Sequence, residues 1–382
     1  MRGGPFFLLL RRLRLTDDAL ELVQRRVLAL ALLTWLPLLL LSAWEGNLIG
    51  GASAVPFLQD IETHARYLLA LPLFILAEPM VHRRLREMPQ EFLERDLIPG
   101  NARARFDEAV ASAYRLCDSK LAETLLLVLI YGLGIQVLWR QYGPLDAITW
   151  YATPTADGSR FTMAGMWVIF VSLPIFQFLM LRWQYRLLIW IRFIWQVSHI
   201  RLELMPTHPD RVGGLGFLAS KMRAFVPLVM GYGALLSGQI AVRIFHTGTQ
   251  LPDYKVEIFL LVVFLLLELF GPMLFFSGQL EAAQRKGGRE YGTLAQRYSR
   301  EFDAKWLRGD APPNEPLLGS ADIQSLADMG NSFGVVREMS FIPIKKEGIL
   351  MIVIATLLPI APLVLTMMPL AELARKFVSI FI

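Results

Sequence analysis

Seven predominantly apolar runs alternate with polar, basic stretches along the chain. They cover about Val27–Ile49, Ala65–Val81, Leu121–Leu138, Met163–Leu181, Phe225–Phe245, Ile258–Ser277 and Ile349–Met368. A helix rising 1.5 Å per residue crosses a bilayer in about twenty residues, so each run has roughly the length of a membrane span. The pattern predicts an all-α fold: a polytopic membrane helix bundle of about seven transmembrane helices, forming a single domain over residues 1–382.

The polar stretches carry a different periodicity. Over Arg103–Lys120, Phe106, Val110, Ala113 and Cys117 recur every three or four residues, which predicts an amphipathic helix leading into the third span. Leu280–Leu307 reads as a second helix and the 309–316 stretch, rich in Pro and Gly, as its breaker. Asp322–Met329 then reads as a short helix capped by Ser320 or Asp322. Residues 11–26 read as an interfacial helix ahead of the first span. Beyond the fourth span, Arg186, Arg192, Gln196 and His199 interrupt the apolar 187–195 stretch, which suits a helix lying along the interface or running on out of the bilayer. Together these segments predict a small helical collar around the loops 83–120, 182–224 and 278–347.

Composition agrees with the hydropathy: 54% of the residues are hydrophobic, above the share usual in soluble domains. The net charge of +5 reports orientation before it reports any acidic partner, and nucleic acid is not expected. With the N-terminus inside, the segments 1–26, 83–120, 182–224 and 278–347 carry 6, 8, 7 and 10 Lys or Arg, 31 of the 38 present. Every inner loop then satisfies the positive-inside rule, and seven spans put the C-terminus outside. A single cysteine, Cys117, excludes an intramolecular disulfide and a cysteine-built zinc site within the chain. The apolar core ahead of Arg11 is too short for a signal peptide.

Two stretches, His208-Pro-Asp-Arg-Val-Gly-Gly-Leu-Gly-Phe-Leu218 and Leu317-Leu-Gly-Ser-Ala-Asp-Ile-Gln-Ser-Leu-Ala-Asp-Met-Gly-Asn-Ser-Phe333, resemble a family of uncharacterised bacterial multi-pass inner-membrane proteins. The resemblance implies a bacterial inner membrane. It brings no reaction, ligand or site residue with it.

Two constellations are candidates for chemistry. In the loop that follows the fourth span, His208, Asp210 and Arg211 stand beside Gly213, Gly214 and Gly216. Backbone N–H groups in a glycine turn beside an arginine could cradle an anion or a lipid head group. The loop matches neither a P-loop nor a dinucleotide fingerprint, and a rigid elbow docked on the 317–339 stretch is the bland alternative. His208 and Asp210 are too few to hold a metal, and no cofactor is implied. In the sixth span Glu268 lies deep in an apolar run, four residues before Pro272, which removes the N–H that the Glu268 carbonyl would accept. A carboxyl at that depth is protonated, paired or facing water. Tyr232, Ser237 and Gln239 on the fifth span are its candidate hydrogen-bond partners. The small-residue pairs Gly233/Ser237 and Ala234/Gly238 would let a further helix approach closely, in the same chain or in a second copy. Glu78, His82 and Glu123 read as span-end groups in solvated pairing with nearby arginines, and Gln177 and Arg182 as ordinary snorkelling ends.

No catalytic residue is assigned. The expectation is a channel or transporter for an ion or small solute. The alternatives are a membrane enzyme acting on a lipid or polyprenyl head group, and a sensor or assembly factor with a cytoplasmic partner at 278–347.

Overall fold

The computed structural model describes residues 22–50, 53, 55–134, 149–155, 158–313 and 315–367. The elements in chain order are α1 (Val23–Trp44), α2 (Ile61–Glu94), α3 (Arg103–Cys117), α4 (Lys120–Leu129), β1 (Ala152–Thr155), β2 (Gly158–Phe161), α5 (Met163–Ser198), α6 (Gly216–Thr247), α7 (Leu251–Leu307), α8 (Ala321–Arg337) and α9 (Lys346–Leu357). Among the described residues five helices, α1, α2, α5, α6 and α7, are long and apolar enough to cross a membrane, and the chain is a helical, multi-pass membrane protein. The third apolar run is helical from Lys120 and continues as a π-turn to Gly134; the rest of it lies outside the described residues. The seventh forms α9 and then tightens into a 3₁₀ segment, Ala361–Thr366. A short antiparallel hairpin, β1 with β2, is an addition to the expected all-α fold.

Three helices run well past their apolar windows. α2 continues to Glu94 where the hydropathy ends near Val81, α5 continues through 187–198 without a break, and α7 reaches Leu307 over 57 residues. Polar helix formers such as Glu, Gln and Arg carry a helix onward after its apolar face has stopped. Residues 187–198 thus continue α5 as one unbroken helix, the running-on alternative rather than a separate interfacial helix. The 11–26 helix lies largely outside the described residues; Arg25 and Arg26 belong to the first turn of α1.

Prolines explain much of how the bundle docks. A proline inside a helix leaves the carbonyl four residues earlier without its usual donor, and in an apolar setting a neighbour must supply one. Pro37 frees Leu33, whose carbonyl accepts from Trp167 Nε1 at 3.3 Å. Pro79 frees Ile75, which accepts from Arg26 Nη2 at 3.4 Å. Pro174 frees Phe170, which accepts from the Tyr131 hydroxyl at 3.3 Å. Taken with Trp35 on His64, Ser172 on Thr34, Met163 on Glu45 and Arg182 on Glu123, these contacts make α1 antiparallel to both α2 and α5, and α4 antiparallel to α5. α6 lies antiparallel to α2, Gly231 against Phe74 and Gly238 against Glu62 and Ala65. It lies parallel to α9, which it meets at Gly233 and at Ser237.

One continuous core runs from Phe57 and Trp150 at the hairpin end, through Phe74, Phe176 and Trp183, to Phe92, Phe106 and Phe217 among the extensions. The extensions of α2, α5 and α7 leave from the same end of the bundle. Gln279 ties α7 to the end of α5: its Nε2 donates to the Ser198 and Ile200 carbonyls at 2.6 and 2.9 Å, and its Oε1 accepts from Leu202 N–H at 2.9 Å. Glu203 N–H then donates to the Leu97 carbonyl, just past α2, at 2.9 Å.

Candidate functional site

Two polar clusters lie on opposite faces of α5, because Arg182 and Arg186 are one turn apart whereas Gln184 is half a turn away from both. On the first face Glu78 of α2 receives three arginines. Arg26 of α1 approaches its Oε2 at 2.7 Å, Arg182 its Oε1 at 3.2 Å, and Arg186 also bonds Oε1. Arg182 Nε reaches Glu123 of α4 at 3.2 Å. Arg26, Glu78, Glu123 and Arg182 are all buried. This corrects the expectation of solvated pairing at these span ends. Four helices are joined through charges that have left water, so removing any one partner strands the others.

On the second face Gln184 Nε2 donates to the Tyr232 hydroxyl of α6 at 2.7 Å, and the Gln184 side chain also interacts with the carboxyl of Glu268 on α7. Glu268 Oε2 is enclosed and accepts no hydrogen bond among the described residues. Two residues beyond Glu268, α7 leaves the α-helical pattern for a 3₁₀ segment, Gly271–Phe276, with Pro272 at its second position. The expected local distortion therefore takes the form of a tightened turn.

Of the three expected partners, the structure brings Tyr232 to Glu268, through Gln184, and not the other two. The Ser237 hydroxyl donates to the Pro359 carbonyl of the α9 turn at 2.8 Å, and Gln239 is exposed. A side chain at 237 or 239 lies one to two turns beyond Tyr232 along α6, too far along the axis to share its level. Gln184 itself was not singled out in the sequence. Its signal was available: an amide following Arg182 and Trp183 within a run otherwise read as a span end.

The small residues of α6 serve contacts within the chain. A Cβ on Gly233 would stand 2.1 Å from the Thr356 carbonyl oxygen, and one on Gly238 2.7 Å from the Ala65 Cβ. They let α9 and the start of α2 approach the α6 backbone.

The glycine loop holds its own anion. Asp210 Oδ1 accepts from the N–H groups of Val212 at 2.9 Å and Gly214 at 3.1 Å, and Oδ2 accepts from Gly216 N–H at 2.8 Å. His208 Nδ1 lies 2.9 Å from Oδ1. Burial opposes ionisation of Asp210, but the three backbone donors and His208 outweigh it and hold the carboxyl below its ordinary value. Arg211, Gly213 and Gly214 all adopt positive φ to wrap the backbone around this carboxylate. The donors that an external phosphate would need are already engaged by Asp210. Arg211 turns outward to Glu338 at 2.9 Å, and its carbonyl accepts from Ser340 N–H at 2.7 Å. The loop is an elbow joined to the end of α8.

At the opposite end of the bundle, unremarked in the sequence, Asp60 accepts from Trp150 Nε1 at 3.0 Å and from the Thr63 hydroxyl at 2.7 Å, while Trp35 Nε1 donates to His64 Nδ1 at 3.0 Å. Among the described residues no group of three or more His, Cys, Asp or Glu side chains gathers as a metal set.

Comparison of the chain with family models, with curated proteins and with solved structures returns no match.

Proposed function

We propose that this protein is a membrane transporter or channel for a proton or small cation, and that Glu268, with Gln184 and Tyr232, is its intramembrane acceptor site. The observation that carries the reading is the enclosed Glu268 Oε2, which accepts no bond among the described residues, in a helical stretch, Lys255–Phe270, whose buried residues Leu265, Leu269 and Phe270 are apolar. A carboxyl in that setting binds a proton or a cation in exchange for solvation, and acids at this depth recur along ion and proton routes. The neighbouring 3₁₀ segment supplies a turn whose backbone bonds can rearrange at low cost.

The basic residues support an orientation with the N-terminus inside the cell and the C-terminus outside. The helical extensions, the elbow and α8 then form a cytoplasmic collar on a bacterial inner-membrane protein, where a cytoplasmic partner could reach 278–347. The head-group enzyme reading loses its main support, because Asp210 already takes up the loop donors it would have used.

Reconstitution in proteoliposomes with a trapped pH- or cation-sensitive dye tests the proposal. The expected result is flux in the wild type that falls at least about tenfold in Glu268→Gln, about 1.4 kcal/mol in barrier height. Wild-type vesicles no leakier than empty ones, to protons and to sodium or potassium alike, would rule the reading out.

A further inference from the structure

α3 and α5 pack antiparallel beyond the apolar windows. The Tyr185 hydroxyl donates to the Leu116 carbonyl at 3.0 Å, Arg192 Nη1 donates to Ser112 Oγ at 2.8 Å, and Phe193 meets Phe106. Between their outer edges runs a groove of about 530 Å³. Arg105, Ala109, Ser112 and Arg115 line it from α3, three or four residues apart and so on one face. The short side chains of Ala109 and Ser112 leave the middle of that face hollow. Arg192 is ten residues past Arg182, about 15 Å further along α5. The groove therefore opens among the helical extensions, on the aqueous side of the buried charge cluster.

Its charges are out of balance. Arg103, which does not line the groove, is matched by Asp107 at 3.2 Å. Arg105 and Arg115 have Ala109 and Ser119 at the same offset, and with Arg192 they line the groove without an ion pair among the described residues. Arg192 rests on Ser112 and Arg115 lies one turn further along that face, so two guanidinium groups border one end. A pair of guanidinium forks suits a phosphate, which accepts several charge-assisted bonds at once. Towards the other end Trp195, one turn past Arg192, is 48% exposed and meets the His199 ring at 4.5 Å. A half-open indole on a rigid helix is a platform for a planar ring. Glu108 lines the groove between the two ends, where it would repel a phosphate but accept from sugar hydroxyls. At about 30 Å³ per water the groove takes about eighteen waters, several times the space of one phosphate.

We infer that the α3–α5 groove binds a nucleotide, with its phosphates at Arg115 and Arg192, its sugar beside Glu108 and its base stacked on Trp195. The site is separate from Glu268, and its occupancy does not depend on what, if anything, the protein conducts.

The full-length protein in uncharged detergent is titrated with ADP by calorimetry, then with pyrophosphate and with glycerol phosphate. Saturable binding of ADP is expected with a Kd below about 1 mM. Arg115, Arg192 and Trp195 are exposed, and an unchanged unfolding midpoint checks that each variant keeps the fold. Arg115→Gln and Arg192→Gln should each weaken ADP and pyrophosphate at least about tenfold. Trp195→Leu should weaken ADP about tenfold and leave pyrophosphate unchanged, because only ADP carries a ring to stack. Arg103→Gln, which removes a cation from α3 outside the groove, should change neither. No ADP binding up to about 1 mM would overturn the site, and so would an equal loss in Arg103→Gln and Arg192→Gln. Trp195→Leu binding ADP as tightly as the wild type would overturn the nucleotide in favour of a bare oligophosphate. Glycerol phosphate binding as tightly as ADP would overturn it in favour of a lipid head group.

Discussion

Asp210 does for the elbow what a bound anion does in a phosphate loop. It neutralises three converging N–H dipoles, and its replacement by Ala leaves those donors without their acceptor at a cost of about 1–3 kcal/mol. Its folded pKa lies below its ordinary value, so the stabilisation linked to its ionisation is fully present above the unfolded pKa, near 3.9. It is lost as pH falls through the lower folded value. Thermal unfolding of the solubilised protein between pH 7 and pH 3 should show a steeper acid loss in the wild type than in Asp210→Asn. Glu78 acts on the same principle with higher stakes, since three arginines converge on it. Glu78→Gln should destabilise by about 3–5 kcal/mol, seen as a lowered unfolding midpoint or a loss of folded protein in detergent. Neither role was legible in the sequence. The glycines announce a turn that can hold an anion, but they do not reveal that the anion is the aspartate two residues before the first valine of the turn. Glu78, Glu123 and Arg182 each sit near a change in hydropathy, where solvent is the natural guess, and only the convergence of α1, α2, α4 and α5 excludes it.

Between helices, α6 and α9 approach closely at Gly233. Gly233→Ala would set a methyl group 2.1 Å from the Thr356 carbonyl oxygen, and that backbone atom cannot rotate away as a side chain can. The two helices must separate, at a cost of about 1–3 kcal/mol; a wild-type unfolding midpoint for Gly233→Ala would refute this packing. Gly330→Ala, in open space on α8, is the matched control and should be neutral or slightly stabilising, because alanine favours the helix. At this scale the sequence was more informative. Apolar runs locate α1, α2, α5, α6 and α7, and the three-to-four periodicity locates α3. What hydropathy could not convey is where a helix ends, because helix continuity follows backbone propensity and packing, and both persist after the apolar face stops at Val81, Leu181 or Ser277. It also could not tell which helix the Gly233 and Gly238 faces would meet. That information lies in the facing backbone and side chains, Thr356 and Pro359 for Gly233 and Glu62 and Ala65 for Gly238.

For the molecule as a whole, the antiparallel packing of α1 on α2 and α5, and of α6 on α2, makes one end rich in helical extensions and the other end the site of the hairpin. Under the proposed topology a reporter enzyme inserted at 309–313 is active only in the cytoplasm, and one fused after Ile382 only outside. Cytoplasmic activity of the second would contradict seven crossings. α7 has a further mechanical consequence. From Phe276 to Leu307 it is one rod of about 47 Å, and its only break near the polar face of α5 is the 3₁₀ segment beside Glu268. A rod hinged at that point acts as a lever: a bend of about 10° at Gly271–Phe276 sweeps its far end through about 8 Å, and a load at the tip is returned to the hinge as torque.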